Sequence, residues 1–347
     1  MKRQIFAGLL FCVLLSFLSC AATMSMLIDV EKPATITLPV TAQNVIIVNN
    51  AVSQPMGYGV SAPSGKFPDI DSLYIKTLKA APWEAAAEAF RNLNESKFFS
   101  DVSIYKKGLR GDDEWLYVVL VDDEIREDFF ENQNFDMLIS IDRLFFSSTI
   151  DKNKPELGRM EAALTFSAYL RGEDEPVIHT LNDTLKAYPT ETAFYNGLSS
   201  IQPEEINTEM IHQTALDLGE KLGMYFAPSW QTFERIYFVR NAFDANRTSN
   251  FINTGTWLQA KNVWTDEFEL EKKAINKARL ATNIALACEM NGDFYEGVEW
   301  ASKAIPLFQN ASSKKYAGEI KYLQVYIKEL QERQKNNLIL DKQHGIS

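Results

Sequence analysis

The sequence predicts an α+β protein: an N-terminal α/β domain with a mixed sheet, followed by a C-terminal array of helices. Three observations predict it. Short β-rich runs alternate with helix-spaced segments as far as about residue 235. Beyond that point only helical periodicity remains. There, small residues recur at fixed spacing around the turn residue Gly292.

Taken in order, Thr35–Leu38 and Asn44–Val48 read as strands separated by Pro39. A loop follows over 51–68, marked by Pro55, Gly57, Gly59, Pro63, Gly65 and Pro68. Its Gly-Tyr-Gly lacks the spacing of a nucleotide-binding loop. Trp83, Ala86, Ala87, Phe90 and Leu93 share one helical face, with Pro82 suited to the first turn. Val102–Tyr105 approaches as a strand. The continuous apolar runs Leu116–Val121 and Met137–Ile141 suit central strands covered on both faces. Ile125, Phe129 and Phe130 fit a short helix between them. Met160–Leu170, the turn Gly172–Pro176 and Val177–Leu185 read as an antiparallel hairpin. Ile211, Ala215, Leu218, Leu222 and Tyr225 line a helix that Pro228 stops.

The first nineteen residues carry an export signal: Lys2 and Arg3, then an apolar stretch from Ile5 to Leu18. That stretch is shorter than the roughly 20 apolar residues that span a bilayer. It ends at Ser19-Cys20, which resembles a lipobox, so the chain is expected to be cut before Cys20 and acylated on its sulfur. An ordinary cleaved signal with an incidental Cys20 is the alternative. Two or more acyl chains hold a protein stably to a membrane, at about 0.8 kcal/mol per buried methylene. No acidic run follows Cys20 and no Asp stands second, so the expected address is the outer membrane, facing the periplasm.

The formal charge is −11, and more negative once Lys2 and Arg3 are removed with the signal. Such a surface repels phosphate and argues against a nucleic-acid partner. Cys12 lies in the signal and Cys20 at the anchor, which leaves Cys288 unpaired on an apolar helical stretch. His179, His212 and His344 are isolated, without the paired spacing a zinc site needs. No metal, cofactor or catalytic residue is therefore assigned.

The sharpest signal lies in Asn283–Ala304. Asn283-Ile284-Ala285-Leu286-Ala287 leads to Asn291-Gly292-Asp293-Phe294, then Glu296-Gly297-Val298 and Lys303-Ala304-Ile305. This resembles a tetratricopeptide repeat. A weaker copy, Gly255-Thr256-Trp257 with Ala260 and Trp264, lies 37 residues upstream, near the repeat's expected period. Ile320, Leu323, Ile327 and Leu330 give a final helix suited to capping the array. The expected divisions are thus a signal at 1–19, an α/β domain at 20–235, a tetratricopeptide-like array at 236–335 and a loose tail at 336–347. Together, Cys20, Pro39, the Asp136–Leu144 strand, Pro228, Trp257, Trp264 and Asn283–Ala304 resemble an uncharacterised family of Bacteroidota lipoproteins. That resemblance implies a location and a fold, and no reaction.

The function expected from these readings is non-enzymatic: a membrane-anchored module that binds a protein or peptide at its helical array, or assists assembly. Trp257, Trp264, Tyr295 and Trp300 are the candidate partner-binding aromatics, with filling of the helix-pair core as their other reading. The N-terminal order of elements also resembles curli-type secretion lipoproteins, which implies a structural subunit of an outer-membrane complex. The enzymatic rival is a hydrolase with paired carboxylates, drawn from Asp122, Asp123 and Glu124 or from Asp136 and Asp142.

Overall fold

The computed structural model describes residues 22–60, 68–151, 154–186 and 203–346. The export segment 1–19, Cys20 and the Pro63–Gly65 part of the early loop lie outside the described residues. The chain forms two compact units. One is a sheet unit, Pro33–Ser229 with the last residues from Gln343. The other is a helical unit, Trp230–Lys342 with the strand that ends at Lys32.

In the sheet unit, β2 (Asn44–Asn49), β3 (Asp101–Ile104), β4 (Met137–Asp151), β5 (Lys154–Leu170) and β6 (Val177–Lys186) stand in the order β3-β2-β4-β5-β6. β2 runs parallel to β3 and β4, while β4, β5 and β6 are antiparallel, so the sheet is mixed as expected. The period-two alternation of side chains sorts its two faces. Val45, Ile47, Met137, Ile139 and Ile141 pack against α1 (Pro68–Ser96) and α3 (Pro203–Phe226). Ile46, Val48, Leu138 and Tyr169 instead meet Val121 and Phe129. These come from a segment that holds α2 (Asp123–Glu127) and a π-helical turn at Asp128–Asn132.

Three expectations change here. Thr35–Leu38 forms no strand. Pro33 and Pro39 flank it, and each removes an amide that a ladder would need. Helix α1 starts at Pro68 and carries Pro82 in its interior. Tyr74, Leu78, Ala81, Ala85 and Ala89 bury one continuous stripe, which outweighs the hydrogen bond that the proline removes. Ala87 is exposed, so the buried face is rotated from the expected one. Finally, Leu116–Leu120 is neither a strand nor covered: all five residues are exposed and only Val121 is buried.

Helices α1 and α3 approach closely because α3 places Gly219 and Gly223 against α1. A Cβ added at Gly219 would stand 2.4 Å from the Ala85 carbonyl oxygen, and one at Gly223 would stand 2.4 Å from Asn92 Oδ1.

The helical unit contains α4 (Ala242–Thr254), α5 (Trp257–Leu270), α6 (Ala274–Met290), α7 (Phe294–Ser312) and α8 (Ala317–Gln343). It also holds a two-stranded sheet of β1 (Ala22–Lys32) and β7 (Ser229–Val239). Neither strand is anticipated by the sequence reading. The division between units falls at Ser229 rather than after residue 235, and β1 joins the helices. The expected loose tail is helical through Gln343, with Leu340 and Gln343 buried.

Candidate functional site

In the helical unit, α6 and α7 form a hairpin around Asn291-Gly292-Asp293, where Gly292 adopts a left-handed φ of 81°. At Gly297 the two helices leave room for a methyl: a Cβ there would lie at ordinary contact distance, 3.4 Å from the Ala285 carbonyl and 3.5 Å from Cys288 Cβ. Burial pushes the Cys288 thiol up to about 12, so it is an inert core group. Trp257, Ala260 and Trp264 of α5 are buried, as are Phe294, Gly297 and Ala301 of α7, the positions that the sequence pattern aligns with them. The likeness does not extend to the preceding helix, since α4 meets α5 only sparsely.

The four candidate aromatics divide. Trp264 is 1% exposed and sits edge-on to Phe251, and Trp257 is also buried. Both fill the core. Trp300 is half-buried. It donates Nε1–H to Glu296 Oε1 at 3.1 Å and lies edge-on to Phe268 at 5.1 Å, with Lys303 Nζ 4.3 Å from its ring centre. Tyr295 is 67% exposed.

Strand β7 is held by helix side chains. The Asn283 carboxamide accepts from Phe238 N and donates to Phe238 O, both at 2.8 Å, as a neighbouring strand would. Tyr322 Oη accepts from Ile236 N. Arg235 projects from β7 onto the buried Glu289 of α6, while Arg333 and Tyr326 of α8 donate to the same carboxylate.

In the sheet unit the unexpected feature is a buried polar cluster. Asp142 sits at a bulge in β4, between Ile141 and Arg143 in the register with β5. Its carboxylate accepts from Ser140 Oγ (2.6 Å), Ser167 Oγ (2.5 Å) and Asn50 Nδ2 (3.2 Å). Burial raises its pKa above the usual carboxylate range despite these donors. Asn50 also donates to Val119 O at 2.6 Å, tying the cluster to the exposed run. Asp136 does different work: its Oδ2 accepts from the amides of Gln43 and Asn44 and from Asn44 Nδ2. Asp122, Asp123 and Glu124 lie at the exposed start of α2, where Asp123 pairs with Arg126. A cavity of about 550 Å³ adjoins α2 and the π turn, lined by Tyr105, Leu109, Phe129, Glu124, Glu127 and Glu131 among others.

The raised pKa of Asp142 has a testable sign. The fold favours its protonated form, so this contribution to stability is full below about pH 3.9 and is lost as pH rises through the raised folded value. Asp142→Asn should therefore gain stability relative to wild type as the pH of urea unfolding is raised from about 4 to 8. A gap between the two proteins that stays constant with pH would contradict the assignment.

Fold and site together define a two-part α+β protein: a mixed sheet with helical segments packed on it, then a run of helices. The chain belongs to the family described as Domain of unknown function (DUF8603), whose model matches residues 42–238. A second model, Domain of unknown function (DUF6340), matches residues 246–332. The first match runs from just before β2 to the end of β7, and the second from α4 into α8. Comparison with the curated proteins finds no match.

Proposed function

We propose that the protein is a lipid-anchored, non-enzymatic binding or assembly module of the outer membrane, facing the periplasm. Its tetratricopeptide-like array takes a protein or peptide partner. The observation that carries this reading is the α7 surface, where exposed Tyr295 and half-buried Trp300 lie within one helix of Lys303. Aromatic rings with a polar end, beside a cation, are the groups enriched where proteins bind one another. The anchor follows from Ser19-Cys20 after an apolar export segment, and the charge of −11 disfavours nucleic acid.

Two measurements test it. Fatty-acid labelling in the native cell should mark the wild-type chain and not Cys20→Ser. Partners crosslinked through the helical unit should be lost in Tyr295→Ala with no change in melting temperature, because an exposed ring contributes little to folding. A chain free of fatty acid would overturn the anchor. An unchanged crosslinking pattern would overturn the binding surface.

A further inference from the structure

Leu116-Tyr117-Val118-Val119-Leu120 is among the most strand-prone runs in the chain, yet it joins no sheet. Leu116 is 55% exposed and Tyr117 65%, and Val118, Val119 and Leu120 are exposed as well. The segment is nevertheless held in place. Leu116 O accepts from Arg143, Tyr117 O from Arg110 and Val119 O from Asn50, while Val121 N donates to Tyr169 Oη. Before the run, Trp115 stacks on Phe145, with ring centres 6.1 Å apart, and Tyr58 tilts onto Trp115 at 5.3 Å. The amides of Val118, Val119 and Leu120 meet no acceptor among the described residues. Leu116 lies in a turn and Tyr117 at a bend; beyond them Val118–Leu120, anchored at Val119 O and followed by the anchored Val121, with free amides and uncovered side chains, offers what an incoming strand needs.

Charge identifies the occupant. Asp112-Asp113-Glu114 precedes the run and Asp122-Asp123-Glu124 follows it. Arg110 neutralises Asp112 and Arg126 neutralises Asp123. Asp113, Glu114, Asp122 and Glu124 form no ion pair among the described residues, and Glu124 continues into the acid-lined cavity. A second copy paired antiparallel would set one acidic flank against the other, which is unfavourable. We propose that residues 118–120 form a strand-addition site for an extended partner segment, apolar at its centre and basic at both ends. The acidic flanks turn away copies of the chain itself and attract the basic ends. This surface is independent of the α7 surface proposed above.

The probe is a labelled peptide of alternating valine and threonine with two lysines at each end, titrated into the full chain in detergent. A counterpart ending in glutamates serves as control. The lysine-ended peptide should bind wild type at least about tenfold more tightly than it binds Val118→Pro, which removes one amide donor at an exposed position. The glutamate-ended peptide should not bind. Asp113→Lys/Glu114→Lys keeps the test valid if Val118→Pro fails to fold, and it should weaken the lysine-ended peptide by a similar factor. Equal binding of both peptides, full binding by either variant, no binding to wild type, or self-association through this segment in sedimentation would each overturn the proposal.

Discussion

Replacing Glu289 with alanine is expected to destabilise the protein by about 3–5 kcal/mol, the range seen when one member of a buried ion pair is removed. Glu289 is 1% exposed and accepts four hydrogen bonds: two from Arg235, one from Arg333 and one from Tyr326. Without it, Arg235, itself 2% exposed, keeps among the described residues only Glu329 as a carboxylate partner, at 2.7 Å. Its guanidinium stays between the rings of Phe233 and Tyr326, 5.1 and 4.8 Å from their centres. The cost is that of stranding a cation in the core; it is not the net worth of the pair. Chemical denaturation checks this, and Glu289→Gln should lose less because it keeps acceptor capacity. Unfolding of Glu289→Ala at the wild-type midpoint would show that the network is dispensable.

The second large effect is a contrast between two helix glycines. Gly219→Ala should destabilise by about 1–3 kcal/mol, the usual cost of overpacking, because the new methyl meets backbone oxygen at 2.4 Å. Gly297→Ala should be neutral or stabilising, since its nearest neighbours are at 3.4 Å and alanine is favoured over glycine in a helix by about 0.5–1 kcal/mol. Thermal melts of the two variants should therefore move apart. If both fell equally, the α1–α3 contact would be no tighter than the α6–α7 contact.

These residues also mark what the sequence makes legible. The β5–β6 hairpin, α3 and the α6–α7 pair follow from local signals: period-two runs around Gly172–Pro176, an apolar stripe ending before Pro228, and small residues around Gly292. The role of Arg235 does not, because its partner Glu289 lies on another element and an isolated arginine reads as surface. Asn283 fits the repeat pattern, but nothing local shows that its side chain completes β7. Asp142 reads as one acid among many until the bulge places it beside Ser140 and Ser167. Trp257 and Trp264 satisfy an aromatic-surface pattern and a core pattern equally well, and packing alone decides between them.

Leu116–Val121 is the most informative difference. Propensity and apolarity both predict a buried strand. The neighbours of β4 in the sheet are instead β2, which runs parallel to it, and β5, which runs antiparallel. The run is fixed by Arg110, Arg143 and Asn50 in place of a ladder. A local signal that the fold overrides in this way is expected at a site kept for something else.

Amide hydrogen exchange on the unliganded full chain tests that claim most directly. The amides of Val118, Val119 and Leu120 should exchange orders of magnitude faster than those of Leu138–Ile141 in β4, a run of similar composition whose amides are laddered. Equal protection of the two runs would mean that residues 118–120 already have a strand partner, and would contradict the account.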